Sequence, residues 1–169
     1  MATNFLEAAG TNGFVAAPIN LQSTELNALA GGSAATSSVG GSSGVFTQTS
    51  FSNCPWISVY FTSGGTFTPV VGQCLYGWFL LSPDGGSTFE TAVSTPSATV
   101  LALSRSPDFI IPLDNAAFAS GNIRWCQGRF IKAPWESTKV LIQNVGGSSP
   151  VALPATGNLI KAGGVAIQY

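Results

Sequence analysis

The run Cys74-Leu75-Tyr76-Gly77-Trp78-Phe79-Leu80-Leu81 is apolar and aromatic at both parities, and it stops at Ser82-Pro83-Asp84-Gly85-Gly86. An extended segment that is apolar on both parities needs cover on both faces, so this one belongs inside a layered β structure. Pro83 presets φ at the first turn position, Asp84 can bond its own backbone, and the glycines supply positive φ. Ser87-Thr88-Phe89-Glu90 then resumes as extended chain. Residues 74–90 therefore read as two antiparallel strands.

Strand signals run through the rest of the chain from Val45 onward. Val45-Phe46-Thr47-Gln48-Thr49 precedes Trp56-Ile57-Ser58-Val59-Tyr60-Phe61-Thr62, which is rich in aromatic and β-branched residues. Asp108-Phe109-Ile110-Ile111-Pro112-Leu113 is a short strand bounded by prolines and suits a sheet edge. Asn122–Lys132, Glu136–Val145 and Leu159–Tyr169 each have strand length. In the first of these Ile123 and Trp125 share a parity that Phe130 does not, and a bulge near Gln127-Gly128 reconciles them. Eight or nine short strands with Gly/Pro turns argue for an all-β fold. A long crossing over 93–107 favours a jelly-roll-like β-sandwich of about eight strands, with a closed β-barrel as the alternative. A chain of 169 residues suits one such domain, assigned to 45–169.

Residues 1–44 read as an extended, Gly/Ser/Ala-rich N-terminal arm. Leu21–Ala30 carries the only helix-like signal, with Ser23 placed to cap and Gly31 to end the turn, although a short strand through Ile19, Leu21 and Ser23 fits equally. Residues 31–44 offer almost no side chain to bury and read either as a linker or as an arm ordered against a neighbouring subunit. Extended, that stretch reaches about 45 Å.

Charge is the compositional outlier. Asp, Glu, Lys and Arg make up 8% of the chain, against about 25% in an average soluble domain. With a net charge of −1 nothing repels one copy from another, and such a surface tends to associate. The longest apolar run falls far short of the ~20 residues of a spanning helix, so no membrane partner is expected. Met1–Glu7 lacks a basic start and a long apolar segment, so no signal peptide is expected. Cys54, Cys74 and Cys126 form no CxxC pair and read as buried free thiols.

Histidine is absent, which removes Ser-His-Asp and Cys-His catalysis and His-ligated zinc. No phosphate-cradling loop is present. Two carboxylate pairs, Asp84 with Glu90 and Asp108 with Asp114, have the type a glycosidase needs, but turn and strand-end roles account for them. Asp84, Asp108 and Asp114 also have the ligand chemistry of a calcium site, without EF-hand spacing. No catalytic residue, metal or cofactor is assigned. Trp56, Tyr60, Trp78, Trp125 and Trp135 are candidates for a sugar-stacking platform, although core packing explains most of them. Arg124, Arg129, Lys132 and Lys139 form the one basic block, with Trp125 and Trp135 interleaved. The chain is slightly acidic overall, so the block suits carboxylates of a protein partner better than nucleic acid.

The segment Ser23-Thr24-Glu25-Leu26-Asn27-Ala28-Leu29-Ala30-Gly31-Gly32, taken with Trp78-Phe79-Leu80-Leu81-Ser82-Pro83-Asp84-Gly85-Gly86-Ser87-Thr88-Phe89-Glu90, resembles a family of small virion proteins of tailed bacteriophages. Ser106–Ala117, Ile131–Val140 and Leu153–Ile160 fit the same family in order, so the resemblance runs from about residue 21 to the end. Its motifs are strand and turn patterns, and no catalytic residue comes with them. The resemblance implies a virion structural protein, with a capsid decoration or cement protein on the capsid exterior as the favoured position. Its expected partners are the major capsid protein and further copies of itself as a dimer or trimer, assembled in the host cytoplasm. The expected interface residues are Leu21, Leu26, Leu29 and Val39 from the arm, and Arg124, Arg129 and Lys132 from the basic block. A tail, baseplate or fibre-base component with carbohydrate or receptor binding is the alternative.

Overall fold

The computed structural model describes residues 17–36, 45–90, 105–113, 116–128 and 130–165. These form strands β1 (Ile19–Gln22), β2 (Ala34–Thr36), β3 (Trp56–Thr62), β4 (Cys74–Leu81), β5 (Phe109–Pro112), β6 (Ile123–Trp125), β7 (Ile131–Lys132), β8 (Thr138–Val145) and β9 (Leu159–Val165). Two antiparallel sheets result. One has the order β1-β9-β3-β6, with β7 also paired to β3, and the other has the order β2-β8-β4-β5. With β6 and β7 taken as one interrupted strand, first pairs with last, second with seventh, third with sixth and fourth with fifth. That nested pairing is a rolled-up antiparallel ribbon, a jelly roll. The sheets do not close into a barrel.

β4 explains the arrangement. Its inward parity puts Leu75 and Phe79 into the main core with Ile57, Val59 and Phe61 of β3, Val140 and Ile142 of β8 and Ile160 of β9. Its outward parity puts Trp78 and Leu80 into a second buried cluster with Ala34 and Leu141, against which Tyr76 and Phe89 pack. The strand is thus covered on both faces, and β8 pairs with it along its whole length from Cys74↔Val145 to Leu81↔Thr138. At Gly77 the ring of Phe109 lies where a side chain would begin, which leaves no room for a Cβ. Glycine is what lets β5 close over β4, and β5 is an edge strand as its prolines required.

Three expectations need correction. Residues 19–36 are no arm: β1 pairs with β9, β2 pairs with β8, and Leu21, Leu26 and Leu29 are at most 1% exposed within the core. Their apolar side chains have the sandwich itself to bury against, so the boundary at residue 44 falls inside the domain. A 3-10 turn at Thr24–Leu26 follows β1, so the strand and helix readings of this segment both apply to successive residues. Ser23 makes no side-chain cap there; the Glu25 carboxylate instead accepts the Ser23 N–H at 3.0 Å. Second, Val45–Thr49 is not a strand; Phe46 makes a single bridge to Thr138, and a 3-10 turn covers Gln48–Phe51. Third, residues 87–90 form no ladder with β4, because the Asp84 carboxylate takes the N–H groups of Ser87 and Thr88.

The break between β6 and β7 is larger than a one-residue bulge. Ile57 faces Ile131 while Tyr60 faces Trp125, so the pairing register shifts by three residues between the two strands. The excursion turns Cys126 into the core, and Gln127 N–H donates to the Ile110 carbonyl of the other sheet at 2.6 Å. All three cysteines are free thiols, and Cys54 and Cys126 are buried. Burial pushes the Cys54 and Cys74 thiols up.

Because Leu26 and Leu29 are core residues, Leu26→Ala or Leu29→Ala should each lower unfolding free energy by about 2–5 kcal/mol. Urea denaturation checks this, and unchanged midpoints would return these residues to an arm.

Candidate functional site

The ends of the sandwich differ in chemistry. At the end carrying the β3–β4 and β8–β9 connections, buried amides tie the loops together. Asn144 Nδ2 donates to the carbonyls of Leu29 and Val151 at 3.1 and 2.9 Å, while its Oδ1 accepts from Gln73 Nε2 at 2.9 Å. Gln73 Oε1 accepts the N–H groups of Val70 and Val151, each at 3.1 Å. These amides satisfy loop backbone that would otherwise be buried without partners. Val71, in the same β3–β4 loop, is 72% exposed.

The opposite end holds a cleft of about 810 Å3 between the chain leaving β4, the chain entering β5 and the link from β7 to β8. The first wall is set by Asp84. Its Oδ1 accepts from Ser82 Oγ, Ser87 N–H and Thr88 N–H at 2.8–3.0 Å, and its Oδ2 accepts from Thr88 Oγ1 at 2.8 Å. The Thr88 N–H, first among these donors, holds the Asp84 carboxyl well below the usual carboxylate range.

The second wall is set by Arg105. Its Nε and Nη2 grip the Glu90 carboxylate at 3.1 Å each. Its Nη1 reaches both Asp108 oxygens at 2.9 and 2.8 Å, and Nη2 also donates to the Phe79 carbonyl at 2.7 Å. Asp108 Oδ2 in turn accepts the Phe79 N–H at 2.7 Å, and Trp78 Nε1 donates to the Arg105 carbonyl at 3.2 Å. The hydrogen bonds to Glu90, then those to Asp108, hold the guanidinium above its ordinary pKa. Arg105, Glu90 and Asp108 are each about one-third exposed or more, so the clamp contributes position more than energy.

The third wall is Lys132-Ala133-Pro134-Trp135-Glu136. Ala133 is buried and its N–H donates to the Pro55 carbonyl at 3.0 Å. The rigid Pro134 that follows carries Trp135 outward to 62% exposure. Lys132 Nζ lies 5.9 Å from the Trp135 ring centre, and Lys139 Nζ lies 4.8 Å from that of Phe89, another lining residue.

The sequence-derived candidates are scattered by this geometry. Leu21, Leu26 and Leu29 are core. Val39, Arg129 and Asp114 lie outside the described residues. Arg124 faces Phe61 in register and stacks its guanidinium over Phe118 at 4.2 Å, whereas Lys132 faces Trp56 at the other end of β3 and lines the cleft. Lys139 belongs to the other sheet, so Arg124, Lys132 and Lys139 share no single patch. Of the aromatic platform, Trp78 and Tyr60 are buried, and Trp125 packs tilted against Tyr60 with ring centres 4.9 Å apart. Trp135, with Trp56 at 37%, is what remains exposed. Of the carboxylate pairs, Asp84 is held by its turn, and Glu90 and Asp108 by Arg105. Among the described residues no three metal-ligating side chains cluster, and no helix is long and apolar enough to cross a membrane.

The role of Arg105 went unseen in the sequence. The Arg105-Ser106-Pro107-Asp108 spacing hints at a local pair, but nothing local marks Glu90. No family model, no curated protein and no solved structure matches this chain.

Arg105→Ala should lower stability by about 1 kcal/mol, given the exposure of the clamp. Arg105→Lys should recover only part of that, because an ammonium cannot grip Glu90 in two places; urea melts of the three proteins check both. The Asp84 carboxyl should titrate far below an unfolded aspartate, near pH 3.9. Its contribution to stability is then present above about pH 4 and is lost as pH falls through the folded value. A 13C titration with a midpoint near 4 would contradict the turn geometry.

Proposed function

We propose that this chain is a bacteriophage virion structural protein, a capsid decoration or cement protein that bridges and stabilises major capsid subunits from the capsid exterior. The observation that carries the reading is that a charge-poor sandwich exposes large apolar side chains at both ends, with Val71 and Trp135 the most exposed of them. Val71 is 72% exposed in the loop leading into β4, and Trp135 is 62% exposed beside the residues that pair with the end of β4. Eight strand residues separate these ends, about 26 Å at 3.3 Å per residue, enough to touch two neighbouring subunits at once.

The physical work of such a protein is mechanical. A molecule that binds the assembled shell and not the separated subunits stabilises the shell by mass action. With few charges to desolvate, contact at either end gains from apolar burial, about 25 cal/mol per Å2. The jelly-roll order gives a rigid body between the two contacts, and the sequence resemblance to small virion proteins points to the same setting. Because residues 19–36 belong to the sandwich, contacts to the major capsid protein and to further copies are assigned to the ends rather than to an arm.

Quantitative mass spectrometry of purified virions tests this directly. Hundreds of copies per particle support a capsid position, a small multiple of three or six supports the tail or baseplate alternative, and absence from virions overturns the reading. Val71→Asp should leave the melting temperature unchanged and lower capsid occupancy at least tenfold; full occupancy would remove that end from the contact.

A further inference from the structure

We propose that the cleft between Phe89, Arg105 and Trp135 is a binding site for a short, uncharged oligosaccharide. The inference rests on what this one cleft presents, and it gives Trp135, one of the two contact ends in the virion reading, to a saccharide instead of a capsid subunit; the experiment below separates the two.

At about 810 Å3 the cleft falls within the ~300–1,000 Å3 that ligand sites occupy. Trp135 is its most telling residue. A large aromatic carried out to 62% exposure on a proline-stiffened link contributes little to the core, and the flat face it offers suits a ligand with an apolar face of its own. A pyranose ring has such a face of C–H groups and a periphery of hydroxyls.

The polar groups around the indole match that periphery. Glu136, next to Trp135, is exposed and accepts no hydrogen bond among the described residues. Lys132 is exposed on the same rim and brings ammonium donors. Asp108 is held in one orientation by Arg105 and by the Phe79 N–H, yet among the described residues Oδ1 carries only the bond from Nη1 at 2.9 Å. With two acceptor lone pairs per carboxylate oxygen, Oδ1 keeps one for a ligand hydroxyl. The acceptor is therefore positioned before the ligand arrives, which reduces the ordering lost on binding.

Charge within the cleft explains why the ligand is neutral. Glu90, Asp108 and Glu136 face Arg105 and Lys132, and Arg105 is already engaged by two carboxylates. With three carboxylates against two cations the lining is net negative, which disfavours an anionic sugar even with Lys132 on the rim, and a hydroxyl donor suits the spare carboxylate positions better than another anion does.

The test uses the full chain on a printed array of neutral and anionic oligosaccharides covering gluco-, galacto-, manno- and N-acetylhexosamine linkages. The best hit is then titrated calorimetrically. A neutral oligosaccharide should bind, with a Kd at least tenfold weaker in Trp135→Ala, severalfold weaker in Glu136→Gln and largely kept in Trp135→Phe. Val71→Ser, at the other end of the sandwich, should bind like the parent chain. Melting curves confirm that each variant is folded. An array without neutral hits, hits confined to anionic sugars, or a neutral hit that Trp135→Ala leaves unchanged would each overturn the assignment. So would a major capsid protein contact that Trp135→Ala abolishes while no saccharide binds, which would give the cleft to a protein partner.

Discussion

A strand that is apolar on both faces can sit only in the middle of something, and β4 imposes that condition on the whole molecule. Its inward side chains require a second sheet, and its outward ones require further cover. β8 satisfies the backbone along one edge for eight residues, and β5 satisfies part of the other. Once β4 lies between these neighbours, the ribbon has to roll, because β3 and β9 must close over Leu75 and Phe79 from the facing sheet. The nested pairing is then the way for short antiparallel strands to cover both faces of one segment with short connections.

The same strand positions the cleft. Phe79 contributes its side chain to the core, its carbonyl to Arg105 and its N–H to Asp108. Arg105 therefore does more than pair charges across a surface. It ties the chain leaving β4, through Glu90, to the chain entering β5, through Asp108, and anchors both to the backbone of a strand that cannot shift. The exposure of the clamp keeps its energy small, but its geometry is borrowed from a strand covered on both faces.

The fold was largely legible in the sequence because its determinants are local. Aromatic and β-branched richness marked β3, runs of strand length marked β8 and β9, the double-parity run marked β4, and flanking prolines marked β5 as an edge. Reading failed where a residue's partner lies far along the chain. Gln22 donates to the carbonyls of Ala35 and Val140 at 2.8 and 2.7 Å, so a segment that looked like an arm is pinned to the opposite sheet. Asp84 is the turn residue its sequence context implies, but its carboxylate also takes the N–H groups of Ser87 and Thr88, which removes the expected strand at 87–90. Of the site, Lys132 and Trp135 were visible as residues of interest, while the Glu90–Arg105–Asp108 clamp, joined across 15 and 3 residues, carried no periodic or motif signal.

The scarcity of charge accounts for the contrast between the two ends. A loop cluster needs its buried backbone satisfied, and with few ionised groups to call upon this chain uses the amides of Gln73, Asn144 and Asn158, neutral donors and acceptors that lose little on burial when fully paired. That end is thereby closed and self-sufficient, with Val71 left outside it. At the other end three carboxylates meet two cations around one exposed indole, which places five of the chain's thirteen charged residues in a single cleft (six basic plus seven acidic in all). Glu90, Arg105 and Asp108 have a structural task there, since they join the chain leaving β4 to the chain entering β5. Lys132 and Glu136, beside the exposed Trp135, belong to no such clamp among the described residues, and they are the polar groups that the proposed saccharide would engage.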